Sequence, residues 1–298
     1  MKLNHDRQMR KSIAIIITSI LVLSGCNKQQ SVSDRLLNEV GKAIAINPDS
    51  ASNLLKGISS PEKLDNKTFA RWCMLSGKIT DEIFNSILPT YQLERAYDWY
   101  SSHGSPDEQV QILIYLGRSY FADGDYDKAM SIYTNALDIA GKNKLNNLIG
   151  YTYDYIGDLY REKFMRTEAI KRYEIAAEYF KKEKNTDSYA CALRDIGREY
   201  AQMDSLSHAL NILIIADSVA ANTSNINVTA SINNALGNIY SMQNKYDKAE
   251  EYLLKALLTG REKMPDYVAL IDLYTASNSI NKAKELLSKI PQDTPQYT

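Results

Sequence analysis

One motif returns four times in this chain at a fixed spacing of 40 residues. A bulky apolar residue (Leu116, Ile156, Ile196, Leu236) precedes a glycine: Gly117, Gly157, Gly197 and Gly237. A tyrosine follows three positions later, at Tyr120, Tyr160, Tyr200 and Tyr240. Two alanine series complete the motif: Ala129, Ala169, Ala209, Ala249, and then Ala136, Ala176, Ala216, Ala256. A period of this length implies stacked supersecondary units that bury their apolar faces against one another.

The spacing inside each period makes the unit a helical hairpin. Apolar residues fall at i, i+3, i+4 and i+7, and no run alternates with period two for long enough to make a strand. Glycine in a helix costs about 1 kcal/mol relative to alanine. Its return in register therefore implies close approach of a neighbouring helix, with the small alanines on the facing helix and larger residues such as Tyr133 filling the space around them. The recurrent tyrosines are expected in the core. Turn signals divide the two helices of each unit: Asp123-Gly124-Asp125, Lys163-Phe164-Met165-Arg166, Met203-Asp204-Ser205 and Gln243-Asn244-Lys245.

Gly, Tyr, Ala and Ala in this order resemble the tetratricopeptide repeat, in which they hold the eighth, eleventh, twentieth and twenty-seventh positions of a pair of antiparallel helices. The resemblance is clear over residues 110–263 and continues more weakly through Leu270, Tyr274, Ala283 and Leu287. It implies an all-α fold, a right-handed superhelical solenoid of antiparallel helix pairs. The family's usual unit is shorter, and the longer unit here resembles those of kinesin light chains and bacterial peptide-sensing repeat proteins. Four clear repeats are expected over 105–263, degenerate helical repeats over 34–104, and a weak repeat, end cap and tail over 264–298. Gly77 and Ala96 keep the grid upstream, but Pro89 stands where the first alanine belongs, so the second helix there is expected to begin after it, near Leu93.

Residues 1–25 are read as a targeting segment. Arg7, Arg10 and Lys11 precede an apolar stretch, Ser12–Leu23, too short to span a bilayer alone. The segment ends in Leu23-Ser24-Gly25-Cys26, which resembles a bacterial lipobox and implies cleavage before Cys26 and acylation of its thiol. Residues 26–33 would then be a lipidated tether holding the domain close to a membrane. The expected location is the bacterial cell envelope, facing the periplasm. Cys73 and Cys191 lie in different units, so no disulfide is expected, and each is read as a small buried residue.

With 35 Lys and Arg against 36 Asp and Glu, and no basic block, the chain has no nucleic-acid footprint. His5, His103 and His208 lie far apart, with no second ligand at metal spacing. No nucleophile elbow, phosphate loop or carboxylate pair with a catalytic spacing appears. No enzyme activity, cofactor or metal is expected. The expected partner is a protein or peptide.

In the resembling family the first helices of the units line a concave groove through their second, fifth, ninth and twelfth positions. Here these are Gln111, Ile114, Arg118 and Phe121; Tyr151, Asp154, Asp158 and Arg161; Cys191, Arg194, Arg198 and Ala201; Ser231, Asn234, Asn238 and Ser241. Arg194 and Arg198 sit one turn apart, beside the Asn234 and Asn238 pair of the next unit. They admit two readings: capture of a carboxylate, such as a peptide C-terminus, or an ion-pair ladder to Asp154 and Asp158 one unit earlier. Tyr151 and Tyr155 are expected to share a helix face, with Tyr153 pointing away. The alternative function is a stand-alone sensor related to repeat-containing bacterial transcriptional regulators.

Overall fold

A computed structural model describes residues 32–83, 87–261 and 263–290. The expected signal segment, Cys26 and the tail Pro291–Thr298 lie outside the described residues. Fourteen α-helices and no strand occur among the described residues. No described helix is long and apolar enough to cross a membrane. The chain divides after Asp123 into two compact units.

The first unit holds α1 (residues 32–43), α2 (Pro48–Lys56), a 3-10 turn (Pro61–Lys63), α3 (Asn66–Ile83), α4 (Thr90–His103) and α5 (Pro106–Ala122). Residues 32 and 33 are already helical, and Ser33 is buried. Pro89 caps α4, so the helix begins directly behind the proline, whose fixed φ and missing N–H suit that end. Leu37, Val40, Phe69, Cys73, Leu93 and Ala96 form the interior. Arg95 pins the 3-10 turn: its guanidinium lies 4.0 Å over the Phe69 ring and donates to the carbonyls of Glu62 and Leu64.

The second unit is a stack of helix pairs. α6 (Tyr126–Lys142) packs on α7 (Asn146–Glu162). The pairs that follow are α7 with α8 (Arg166–Lys182), α9 (Thr186–Gln202) with α10 (Leu206–Ala220), α11 (Ile226–Met242) with α12 (Tyr246–Thr259), and α13 (Met264–Ala276) with α14 (Ile280–Leu287). Each second helix also packs on the first helix of the next pair, and α11 touches both α9 and α13.

The repeated residues account for this packing. All eight alanines of the two series are fully buried. Gly157, Gly197 and Gly237 are each a notch for one side chain of the partner helix. A Cβ on Gly157 would lie 2.5 Å from the Tyr173 ring, one on Gly197 2.8 Å from Leu213 Cγ, and one on Gly237 2.6 Å from Leu253 Cγ. Tyr120, Tyr160 and Tyr200, by contrast, are half-buried, whereas Tyr240 lies in the core as expected, 8% exposed and stacked on Tyr252 at 5.4 Å. The fully buried tyrosines are Tyr133 and Tyr173 on the second helices, where a ring fits between small residues. In the last pair Leu286 is buried and Leu287 is 53% exposed, so the expected contact of Leu287 passes to its neighbour.

The turns repeat as strictly as the helices. Gly124, Phe164, Asp204 and Asn244, 40 residues apart, all have left-handed φ between 57° and 78°. After α7, α9 and α11 the N–H beyond this residue donates back to the carbonyl of Tyr160, Tyr200 or Tyr240 at 2.9 Å. That bond closes a Schellman cap and satisfies a helix carbonyl that would otherwise be orphaned. Phe164 is the outlier, a bulky residue in a region that suits glycine or asparagine, with its side chain 79% exposed.

Candidate functional site

In the second unit the first helices α7, α9, α11 and α13 carry a polar seam built at the carried-over groove positions. Its centre is a cluster of six charges on α7 and α9: Asp154, Asp158, Arg161, Arg194, Asp195 and Arg198. Asp158 accepts from the Tyr173 hydroxyl at 2.8 Å and pairs with Arg161 at 2.8 Å. Arg161 also donates to the Tyr173 oxygen. Asp195, which lies off the expected stripe, is the hub on α9. It takes two bonds from Arg194, at 3.0 and 2.7 Å, and a longer 3.5 Å contact from Arg198.

No ion pair joins Arg194 or Arg198 to Asp154 or Asp158 among the described residues. The ladder across neighbouring helices is therefore replaced by pairs within each helix. Arg194 instead reaches forward to α11, where its guanidinium donates to Ser231 Oγ at 2.9 Å. The seam continues with Asn238 donating to Asn234 at 2.9 Å and Asn234 donating to Asp266 of α13 at 2.7 Å. Asn234 and Asp266 are both buried, so this bond is structural. Ser241 is half-buried at the end of α11.

Asp154 differs from its neighbours. Its Oδ1 is buried without a hydrogen-bond partner, and the side chain forms no ion pair. Burial pushes its carboxyl well above the usual carboxylate range, the charges of Asp158 and Asp195 push it further, and Arg194 and Arg161 oppose the rise. Burial also raises Asp158, with Arg161 opposing the rise. For Asp195 burial works in the same direction, but Arg194 and Arg198 overcome it and hold the carboxyl below its ordinary value. Cys191, half-buried one turn before Arg194, keeps a free thiol that burial pushes upward.

The tyrosine cluster divides otherwise than expected. Tyr151 and Tyr153 both turn towards the end of α8, with ring centroids 4.9 Å from Phe180 and 6.4 Å from Tyr179 respectively. Tyr155 turns the other way and stacks on Tyr133 of α6 at 6.0 Å. α7 lies between α6 and α8, so residues one turn apart lean to opposite neighbours. The Tyr151 hydroxyl also accepts from Asn185 and Ser188 of α9.

The first unit has a smaller cluster of its own. Gln111 donates to the Tyr115 hydroxyl at 2.9 Å, that hydroxyl donates to Asp81 at 3.0 Å, and Arg118 pairs with Asp81. Burial raises the Asp81 carboxyl, and Arg118 opposes it. Phe121 is half-buried. Ile114 is 4% exposed, so it is a packing residue and not groove surface as expected. Asp81, Tyr173, Asp195 and Asp266 were not among the sequence candidates. Asp195 adjoins Arg194, and that adjacency was the available signal. No group of metal-ligating side chains occurs among the described residues.

Residues 113–146 and 229–264 each match a tetratricopeptide repeat family. The photosystem I assembly protein Ycf3 of Rippkaea orientalis is 32% identical over 91 residues, which cover 30% of this chain and 52% of that protein. The chain thus spans about half the length of that curated relative. A Rap protein complexed with Competence and Sporulation Factor superposes with a TM-score of 0.71 at 19% identity, over 87% of this chain and 75% of that one. The apo form of the quorum sensor NprR from B. thuringiensis gives 0.55 at 15% identity, with coverage of 87% and 75%. BtubC from P. vanneervenii gives 0.52 at 14%, with coverage of 92% and 96%. With the glycine notches, the buried alanine pairs and the Schellman-capped turns, these matches identify tetratricopeptide repeats at residues 113–146 and 229–264, within an all-α fold shared with the solved structures.

Proposed function

We propose that this chain is a membrane-tethered scaffold for protein–protein interaction, holding an extended peptide or a partner helix in a groove along the first helices of its repeats. One observation carries the reading. The α7–α9–α11 face presents partly exposed charged and amide side chains, Arg161, Arg198 and Asn238 among them, on a rigid helical frame whose interior is apolar. Such a face offers charge-assisted bonds to a partner's backbone or termini at fixed positions. Arg198 is 42% exposed and has one 3.5 Å ion-pair contact, which suits a carboxylate on the partner.

The tether rests on the lipobox-like Leu23-Ser24-Gly25-Cys26. Cys26→Ser is expected to abolish palmitate labelling and move the chain from the membrane pellet to the soluble fraction. The groove is tested by placing a photoreactive residue at Asn238 and, as a control, at the exposed outer position Glu178, in intact cells. A discrete adduct at Asn238 and none at Glu178 supports the groove. Equal labelling at both positions rejects it.

A second reading, a stand-alone sensor of an exported peptide, is favoured by the likeness to a Rap protein complexed with a signalling factor and to the quorum sensor NprR. Adducts with a short peptide, in place of an envelope protein, distinguish it.

A further inference from the structure

We propose that the connections α6–α7 and α8–α9 form a basic edge that docks on an anionic membrane surface, meeting the phosphates of its lipid headgroups. The proposal rests on the tether reading, which keeps the domain beside a bilayer.

The two connections make one continuous surface. Asn146 donates to Glu183 at 2.8 Å, and Asn185 donates to Asn147 Oδ1 at 3.3 Å. Lys142, Lys144, Lys181, Lys182 and Lys184 stand on this surface, all exposed. Three carboxylates on it are already engaged. Asp138 takes Lys142 at 2.6 Å, Glu183 takes the Asn146 amide, and Asp187 accepts from Thr223 and Asn225. Lys144, Lys182 and Lys184 form no ion pair among the described residues, although Glu178 lies one turn before Lys182. The next connection, Ala221–Asn225, carries no cation, so the strip ends there. At the opposite ends of these helices the cations are spoken for: Lys163 is tied to Asp127 and Arg166 to Glu199.

Helix stability explains only part of this pattern. Lys142, Lys181 and Lys182 close the last turns of α6 and α8, where a cation complements the helix dipole. Lys144 and Lys184 lie beyond the helix ends, at φ 56° and 58°. That conformation strains a residue with a Cβ and suits glycine or asparagine. Asparagine fills it at Asn244 and Asn278. Lysine at this position gives up backbone comfort and supplies charge. The N–H of the next residue, Leu145 or Asn185, donates back to the Ala140 or Phe180 carbonyl, so both lysines sit on a fixed backbone.

The chemistry selects the partner. A lysine is a point charge on a flexible stem, so a row of them responds to charge density more than to shape. That suits a layer of many mobile phosphates. The chain as a whole holds 35 Lys and Arg against 36 Asp and Glu, so the attraction is confined to this edge. The tether would hold the domain at the bilayer, and the edge would set which side faces it.

The test uses the full chain with Cys26→Ser, so that no acyl chain contributes. It is floated in low salt with vesicles of phosphatidylcholine alone, or of phosphatidylcholine with one quarter phosphatidylglycerol. The readout is the ratio of the two partition coefficients, in which the common contribution of the apolar stretch Ser12–Leu23 cancels. Each lysine beside an anionic surface adds roughly five-fold, so three unpartnered lysines give a ratio of about one hundred. The ratio should collapse in the triple variant Lys144→Gln, Lys182→Gln, Lys184→Gln, and in molar salt. It should hold in the control Lys163→Gln, Lys245→Gln, Lys248→Gln on the opposite edge, with unchanged far-UV circular dichroism in both. Equal partition of wild type into the two vesicles, or a preference that survives the first triple variant or falls as far in the control, overturns the edge. A discrete protein adduct from a photoreactive residue at Lys184 in intact cells, without any vesicle preference, gives the edge to an acidic protein and also overturns the membrane assignment. Palmitate labelling at Cys26 judges the tether separately in every case.

Discussion

Gly237→Ala should destabilise the second unit even though alanine is the better helix former. Two effects oppose each other. The added methyl gains up to about 1 kcal/mol of helix propensity. The same methyl would lie 2.6 Å from Leu253 Cγ, 2.8 Å from its Cδ2 and 3.2 Å from the Ala249 carbonyl oxygen. Cγ is the branch point of a fully buried side chain, and the carbonyl belongs to backbone, so neither moves without dragging α12. Overpacking of this kind costs about 1–3 kcal/mol, which exceeds the propensity gain. A net loss of about 1 kcal/mol lowers Tm by roughly 2–4 °C for a unit of this size. The control is Gly141→Ala near the end of α6, where a Cβ meets nothing within 4 Å. There only the propensity gain remains, and Tm should rise or hold. A third variant closes the argument. Leu253→Ala alone should cost about 2–5 kcal/mol, but it empties the space the new methyl needs. The double variant should therefore be more stable than the sum of the two singles by about 1 kcal/mol, the overpacking term recovered. Urea denaturation followed at 222 nm measures all four proteins. If Gly237→Ala stabilises as Gly141→Ala does, or if the double variant is simply additive, the notch is not a packing device and the account of the repeat fails.

Three further expectations follow from other contacts. Arg166→Ala leaves Glu199, whose side chain is 2% exposed, without the cation now 2.9 Å away, and unfolding should become easier by about 3 kcal/mol in urea titration. Asp154→Asn removes a carboxylate that burial disfavours and should stabilise the fold at pH 8 by about 1 kcal/mol in the same titration. The folded-state pKa is raised, so the wild-type penalty is present above it and relieved as pH falls through it; the difference between the two proteins must shrink towards pH 4. Phe164→Asn relieves a bulky residue at φ 57° and should stabilise by about 1 kcal/mol in the same assay.

The fold was legible because its rules are local and periodic. A glycine, a turn residue and two alanines at fixed offsets specify a notch, a left-handed cap and a close helix contact, and all three stand at the same offsets in the structure. Pro89 marked a helix start for the same reason. Side-chain pairing on the polar face was less legible. A stripe at spacings of three and four identifies residues that can meet, but the reach of Arg194 let it choose its own neighbour Asp195 and then Ser231 of the next first helix. Ile114 shows the converse limit: a position carried over from a family says which face a residue occupies, not how much water reaches it. The tyrosines of α7 split because that helix has neighbours on two sides, a fact about stacking order that single-helix periodicity does not contain.

The notches of the second unit differ in what fills them. Leu213 and Leu253 end in methyl groups, so the wedges in α10 and α12 are mute. Tyr173 ends in a hydroxyl that donates to Asp158 in the polar seam. At that one level, any event that moves Asp158 also tugs on the ring lodged at Gly157, giving the α7–α8 joint a mechanical handle that the following joints lack.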